Sequence, residues 1–333
     1  PYIVRSMPNG LKVGLFGLLG LEAVTTVPQS APLSFSSGPA DLAETAQQVV
    51  DTLRDDEGVD VVILLAHLGI EGGAGEYGGD TEMLARNTTG IDIIASGHTH
   101  TLTPEPILIA SEKGEWTTRI IEAHRYGDHI ARWDVTAGGG QVKQATGQVI
   151  PIDDSLEASD AVGPLTSDLI ADIEQTLLAS YPQLPEAGAF LDGDICQQLC
   201  TSTCDLERIA HRANNIGNFV ADAVRLATGA DFAFISNGGD VRGSLLRDGS
   251  GGFSLADAFI TTPLGIGPEG SIGYPLVQLY LDWDQIKFIL EGTTADMGQS
   301  NNDYFLNMSG LKVTMDTGQA SFIRVRTIER YNE

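Results

Sequence analysis

The chain has 333 residues, 42% of them hydrophobic, which is enough to bury a large core and long enough to favour two domains over one. Lys and Arg number 19 against 45 Asp and Glu, and the formal charge of -26 repels nucleic-acid polymers and anionic membrane surfaces. No run of about 20 apolar residues occurs, so an ordinary membrane-spanning helix is excluded, and any phosphate site must rest on local cations or metal ions.

The chain opens Pro1-Tyr2-Ile3-Val4, with neither an initiator methionine nor a basic stretch leading into an apolar one. Leu11 to Gly20 then reads as a buried strand ending in a glycine-rich turn. Ala40 to Arg54 follows with Leu42, Ala46, Val49, Val50 and Leu53 at helical spacing. Two Val/Ile/Leu-rich runs come next, and each ends in histidine: Val61 to His67, and Ile91 through Ser96-Gly97-His98-Thr99-His100. Runs of this kind are strands buried on both faces, as in parallel sheets covered by helices. Ligands bind outside the carboxyl ends of such strands, so His67, His98 and His100 are well placed to meet around a metal. The i, i+2 spacing of His98 and His100 sends their rings toward different ions or different faces of one ion.

Between these strands, Gly72 to Gly79 is a loop by composition and Thr81 to Arg86 a short helix. Thr117 to Ala123, His129 to Val135 and Val142 to Ile150 read as antiparallel strands. His124, His129 and His211 carry no signal beyond ordinary polar positions. Leu165 through Leu178 forms an apolar helical face and is expected to link two domains, with Pro- and Gly-rich sequence at 182–188 beyond it. Cys196, Cys200 and Cys204 share one short segment, which suits a helix face, a loop closed by one disulfide, or a metal cluster.

A second α/β unit begins with a helix at Ile216 to Thr228 and a strand at Phe232 to Ile235, followed by the turn Ser236-Asn237-Gly238-Gly239-Asp240-Val241-Arg242. Exposed backbone N–H groups, an amide and the planar fork of Arg242 suit a carboxylate or phosphate. Asp222 reads as a local hydrogen-bond acceptor, with Arg225 in reach at i+3.

Five pieces in order, His67-Leu68-Gly69, Gly97-His98-Thr99-His100, Gly217-Asn218-Phe219-Val220-Ala221-Asp222-Ala223, Asn237-Gly238-Gly239-Asp240-Val241-Arg242 and Ser309-Gly310-Leu311, resemble the 5'-nucleotidase family. The resemblance implies an α/β chain: a partial calcineurin-like metallophosphoesterase sandwich over 1–153, a helical linker over 154–188, and a C-terminal substrate-recognition domain over 189–333. It also implies two divalent ions such as zinc or manganese, with His67 and His98 on one and His100 helping to hold the other. Asn237, Gly238, Gly239 and Arg242 would hold the nucleotide, and Arg208 and Arg212 are both candidates for an arginine that the family often has upstream of Gly217-Asn218. Leu264, in Pro263-Leu264-Gly265, stands where the family commonly has a phenylalanine against the base.

The implied reaction is metal-dependent hydrolysis of nucleotides or related phosphate esters in the periplasm or outside the cell. A 2',3'-cyclic nucleotide phosphodiesterase, a nucleotide-sugar hydrolase and a non-catalytic nucleotide-binding remnant are the alternatives. The family's Asp-x-His and Asn-His pairs are absent from this sequence. The expectation is therefore a partial metal site in a chain that corresponds to the family from a point inside its first domain. No residue is singled out as the catalytic acid or base, and oligomeric state is not legible.

Overall fold

The structure is a computed structural model that describes residues 1–21, 32–36, 38–71, 78–153, 155–157, 159–180, 205–209, 212–246, 253–263, 265, 274–294 and 305–331. It divides into two units, Pro1–Ala158 and Ser159–Glu333. The helix read as a linker, Gly163–Ser180, falls in the second unit. Cys196, Cys200, Cys204, His211 and Leu264 lie outside the described residues.

Unit 1 is built on a six-stranded sheet of β1 (Tyr2–Ser6), β2 (Lys12–Leu19), β3 (Val61–His67), β4 (Ile93–Ser96), β5 (Ile107–Ala110) and β6 (Thr117–Glu122). Its order is β1-β2-β3-β4-β6-β5; β2, β3, β4 and β6 run parallel, and the edge strands β1 and β5 pair antiparallel. The parallel strands carry the β-branched and leucine side chains that such a sheet buries. Helix α1 (Pro39–Asp51) starts with proline at its first turn, where the missing N–H costs nothing. It buries Leu42, Ala43, Ala46 and Val50, and a π-turn at Thr52–Asp56 adds Leu53 to the same core. Helix α2 (Asp80–Asn87) contributes Leu84 and Ala85.

At the amino end of this sheet Arg54 pairs with buried Asp92 at 2.6 Å and lies 5.1 Å from the Trp116 ring centroid. Burial raises the Asp92 carboxyl above its ordinary value, opposed by the Arg54 charge. A separate hairpin, β7 (His129–Ala137) with β8 (Val142–Pro151), completes the described strands of unit 1.

The segment Thr117 to Ala123, read as antiparallel, supplies an inner strand that is antiparallel to β5 on one side and parallel to β4 on the other, with Ala123 in an antiparallel bridge to Leu102. Alternating side chains reveal which faces a strand presents, and the partner is chosen by tertiary packing.

Unit 2 contains α3 (Gly163–Ser180), α4 (Asn215–Thr228), β9 (Ala233–Ser236), α5 (Leu255–Thr261), α6 (Trp283–Thr293), β10 (Leu306–Ser309), β11 (Leu311–Met315) and β12 (Val325–Arg330). β9 pairs with β10 and β11 with β12, both antiparallel. Helix α4 packs close to β10 at Gly217, where an added Cβ would lie 2.1 Å from the Asn307 amide, so only glycine fits. Ile216, Val241, Leu245 and Phe253 form one small core, and Ile286, Leu290, Leu311 and Val325 form another. Among the described residues no helix is long and apolar enough to cross a membrane.

Candidate metal centre and substrate turn

The carboxyl ends of β2, β3 and β4 are laced together by main-chain hydrogen bonds. Gly20 N–H donates to His67 C=O, Gly97 N–H to Ala66 C=O and Gly69 N–H to Gly97 C=O, each at 2.9 Å. Gly69 adopts φ +82°, and a Cβ there would meet the Thr99 methyl at 2.5 Å, so glycine lets the loops after β3 and β4 touch. Thr99 Oγ1 closes the contact by accepting from Ile70 N–H at 2.9 Å. A cleft of about 510 Å³ lies along these strand ends, with His67 and Gly97 among its lining residues.

This lacing brings His67 and His98 together, with His67 Nε2 3.2 Å from His98 Nδ1 and ring centroids 4.8 Å apart. Two nitrogens bound to one tetrahedral ion at 2.0–2.1 Å would be separated by about 3.3 Å, so the pair fits a shared divalent ion. The His100 ring lies against Tyr126, at a centroid distance of 5.7 Å. His98 and His100 both have positive φ, +101° and +58°, unusual for residues with a Cβ.

Beneath the loop lies Glu122, which the sequence reading passed over. Its carboxylate is fully buried and accepts from Thr101 N–H at 2.9 Å, Ser96 Oγ at 3.1 Å and Thr99 Oγ1 at 3.2 Å. One side chain thereby grips the loop on both sides of His98 and His100. The available signal was a carboxylate closing the apolar pair Ile120-Ile121, with Ser96, Thr99 and Thr101 as hydroxyl partners about 20 residues upstream.

Among the described residues, the cluster of three metal-ligating side chains within 4.8 Å of one another is His124, Asp128 and His129. Asp128 bridges His124 Nδ1 at 2.5 Å and His129 Nδ1 at 2.9 Å. The hydrogen bond from His129 comes first among the effects that hold the Asp128 carboxyl down to about 2; partial desolvation opposes it and His124 assists.

In unit 2 the turn after β9 is held from within. Asn237 is fully buried; its amide donates to the carbonyls of Ile209 and Arg212, and its Oδ1 accepts from Asn214 Nδ2 at 2.8 Å. Asn214 is also the N-cap of α4, accepting from Gly217 N–H at 2.9 Å. Arg208 Nε donates to the carbonyls of Asn237 and Val241 at 3.0 and 2.6 Å. Gly238 is buried and accepts from Arg242 Nη1 at 3.0 Å, Gly239 N–H donates to Ser236 Oγ at 3.1 Å, and Arg212 is exposed. Asp222 accepts from Ser309 Oγ at 2.5 Å, and Arg225 Nε donates to the same hydroxyl at 2.6 Å. The sequence reading missed Asn214, although an Asn-Asn pair opening an apolar helix is a recognisable cap signal.

Two family models match the chain: calcineurin-like phosphoesterase over residues 18–102 and 5'-nucleotidase, C-terminal domain, over residues 196–333. The trifunctional nucleotide phosphoesterase protein YfkN of Bacillus subtilis is 28% identical over 272 residues, covering 80% of this chain and 16% of that protein. Protein UshA of Yersinia enterocolitica is 27% identical over 252 residues, covering 67% of this chain and 43% of its own length. The crystal structure of a 5'-nucleotidase precursor from Thermus thermophilus superposes with a TM-score of 0.64 at 21% identity, covering 100% of this chain and 61% of that one. The chain thus spans less than two thirds of each of these relatives. The chain therefore carries, in this order, a calcineurin-like phosphoesterase region and a 5'-nucleotidase C-terminal domain, on a fold shared with a 5'-nucleotidase precursor.

Proposed function

We propose that the chain belongs to a divalent-metal-dependent phosphohydrolase that releases phosphate from nucleotides or closely related phosphate esters, acting in the periplasm or outside the cell. The observation that carries this reading is the 3.2 Å approach of the His67 and His98 ring nitrogens at the carboxyl ends of parallel strands. His67 and His98 would hold one ion, with His100 on the same loop available to a second. A bound divalent ion supplies positive charge against the phosphoryl oxygens and makes water more acidic.

The remaining work falls to the protein's own side chains. Glu122 fixes the loop that presents His98 and His100. The turn Ser236–Arg242 recognises the nucleotide through Arg242; Gly238 and Gly239 shape that turn through their bonds to Arg242 and Ser236, and outside it Arg212 offers a second guanidinium group and Leu264 an apolar side chain for the base. Asn237 and Arg208 contribute by setting the shape of that turn, since Asn237 spends its carboxamide inside the protein. Binding energy gathered there orients the scissile ester.

The test is phosphate release by the protein at its native length from AMP, a 2',3'-cyclic nucleotide, a nucleotide sugar and an aryl phosphate, with and without added divalent ion. AMP turnover is expected to need the ion and to fall at least about 100-fold in His98→Ala. Arg242→Lys should lower kcat/KM for AMP about tenfold and leave the aryl phosphate nearly unchanged, because lysine keeps the charge and loses the fork. Ion-independent turnover, or nucleotide binding without any turnover, would overturn the reading, and the latter would identify a non-catalytic nucleotide-binding protein.

A further inference from the structure

We propose that His124, Asp128 and His129 form a further divalent-cation site of the zinc class, built from a donor set separate from the His67–His98 pair. Two imidazoles and one carboxylate are a recurrent three-ligand set for zinc, with a fourth position open to water or a ligand. All three side chains offer a donor atom, and these atoms lie within 4.8 Å of one another. The Asp128 oxygens sit 2.5 and 2.9 Å from the two Nδ1 atoms. Around a tetrahedral ion such atoms stand about 3.3 Å apart, so coordination needs each Asp128–imidazole contact to open by less than about 1 Å and a pair at the 4.8 Å limit to close by about 1.5 Å.

The backbone that carries these groups is already committed. His124, Tyr126 and Gly127 adopt φ of +59°, +57° and +75°. Two of the three are not glycine, and strain of that kind persists only where the surroundings impose it. Here the surroundings are explicit: His124 N–H donates to Thr101 C=O at 3.1 Å, and Ile152 N–H donates to Asp128 C=O at 2.7 Å. His129 opens β7 and is paired with Pro151. The three donors are therefore held on an anchored turn, which lowers the ordering cost of binding.

Access agrees with the geometry. Side-chain exposures of 30% for His124, 41% for Asp128 and 21% for His129 leave an entry path and room for a fourth ligand. The competing arrangement is a carboxylate that ties two imidazoles by hydrogen bonds and binds no ion.

Zinc titration by calorimetry on the full chain separates the two. The measurement is made in a His67→Ala, His98→Ala background, which silences the neighbouring pair, and zinc-edge anomalous diffraction locates the ion. One zinc is expected with a dissociation constant tighter than about 10 μM, on His124, Asp128 and His129. Adding Asp128→Asn, which keeps the side-chain shape, should weaken it at least tenfold, and His129→Gln should do the same if the asparagine variant loses its far-UV spectrum. No zinc in the silenced background, zinc located elsewhere, or an affinity indifferent to both substitutions overturns the site. This outcome is independent of whether the protein hydrolyses phosphate esters.

Discussion

Two strand-end turns, one in each unit, are held by buried polar side chains in opposite ways. After β4, the loop bearing His98 and His100 is gripped by Glu122, a residue outside the motif on a neighbouring strand. After β9, the turn is gripped by Asn237, a member of the motif itself, together with the helix cap Asn214. A carboxylate only accepts, so Glu122 gathers N–H and O–H donors beneath the loop. A carboxamide both donates and accepts, so Asn237 can tie two carbonyls to another amide. In the first turn His98 keeps its ring toward His67 while another residue does the holding. In the second, holding is part of what the motif residue does.

The largest expected effect breaks the second turn. Asn237→Asp would place a carboxylate oxygen against the carbonyls of Ile209 and Arg212, and should cost about 3 kcal/mol or more through buried, unpaired acceptors. Hydrogen exchange should then lose protection in α4, β9 and β10 and keep it in β2, β3 and β4. An equal loss in both units would mean that the turn does not stabilise its own unit alone.

A middle-sized effect tests the first turn. Glu122→Gln replaces one accepting oxygen with a donor facing other donors, and should weaken divalent-ion binding at His67 and His98 about tenfold. The measurement belongs in an Asp128→Asn chain, so that His124 and His129 do not contribute. Unchanged affinity would show that the main-chain lacing from Gly69 to Gly97 holds the loop without Glu122.

The smallest effect is acid sensitivity. The Asp128 carboxyl is lowered from 3.8 to about 2 on folding, so its stabilisation is present above 3.8 and is lost as pH falls toward 2. Acid should loosen the start of β7 before it loosens the Asn237–Asn214 tie after β9, which is made of carboxamides and does not titrate. Asp128→Asn should flatten that acid limb, as read by β7 amide exchange between pH 4 and about 2; an unchanged limb would assign it to other carboxylates.

Much of this was legible in the residues. The runs Val61–His67 and Ile93–Ser96 announce buried strands by composition, and the helix read from Ala40 was found as Pro39–Asp51 with its stripe of buried side chains. β1 was missed because its apolar run, Tyr2-Ile3-Val4, is short and passes at once into Arg5 and Ser6; in the structure it is an edge strand with every residue exposed or half-exposed. The parallel pairing of β6 with β4 was missed because neighbour choice depends on contacts far apart in sequence. Glu122 was passed over for a related reason: a charge at the end of an apolar run looks solvent-bound until donors from residues far away in sequence close over it. His124 and His129 gave no signal as single residues, and only the left-handed turn between them brings both rings onto one carboxylate.

The backbone angles at His98 and His100 also bear on inheritance. A side chain held at such angles costs about 1 kcal/mol or more relative to glycine, so each imidazole persists against a constant thermodynamic pull. While the chemistry is under selection, the pull is resisted. In a lineage that has abandoned the chemistry, substitution to glycine at either position becomes a stabilising step, and drift should take it early. The two codons therefore work as a gauge: sequencing them across relatives should separate working copies from decaying ones before any frameshift or stop codon appears.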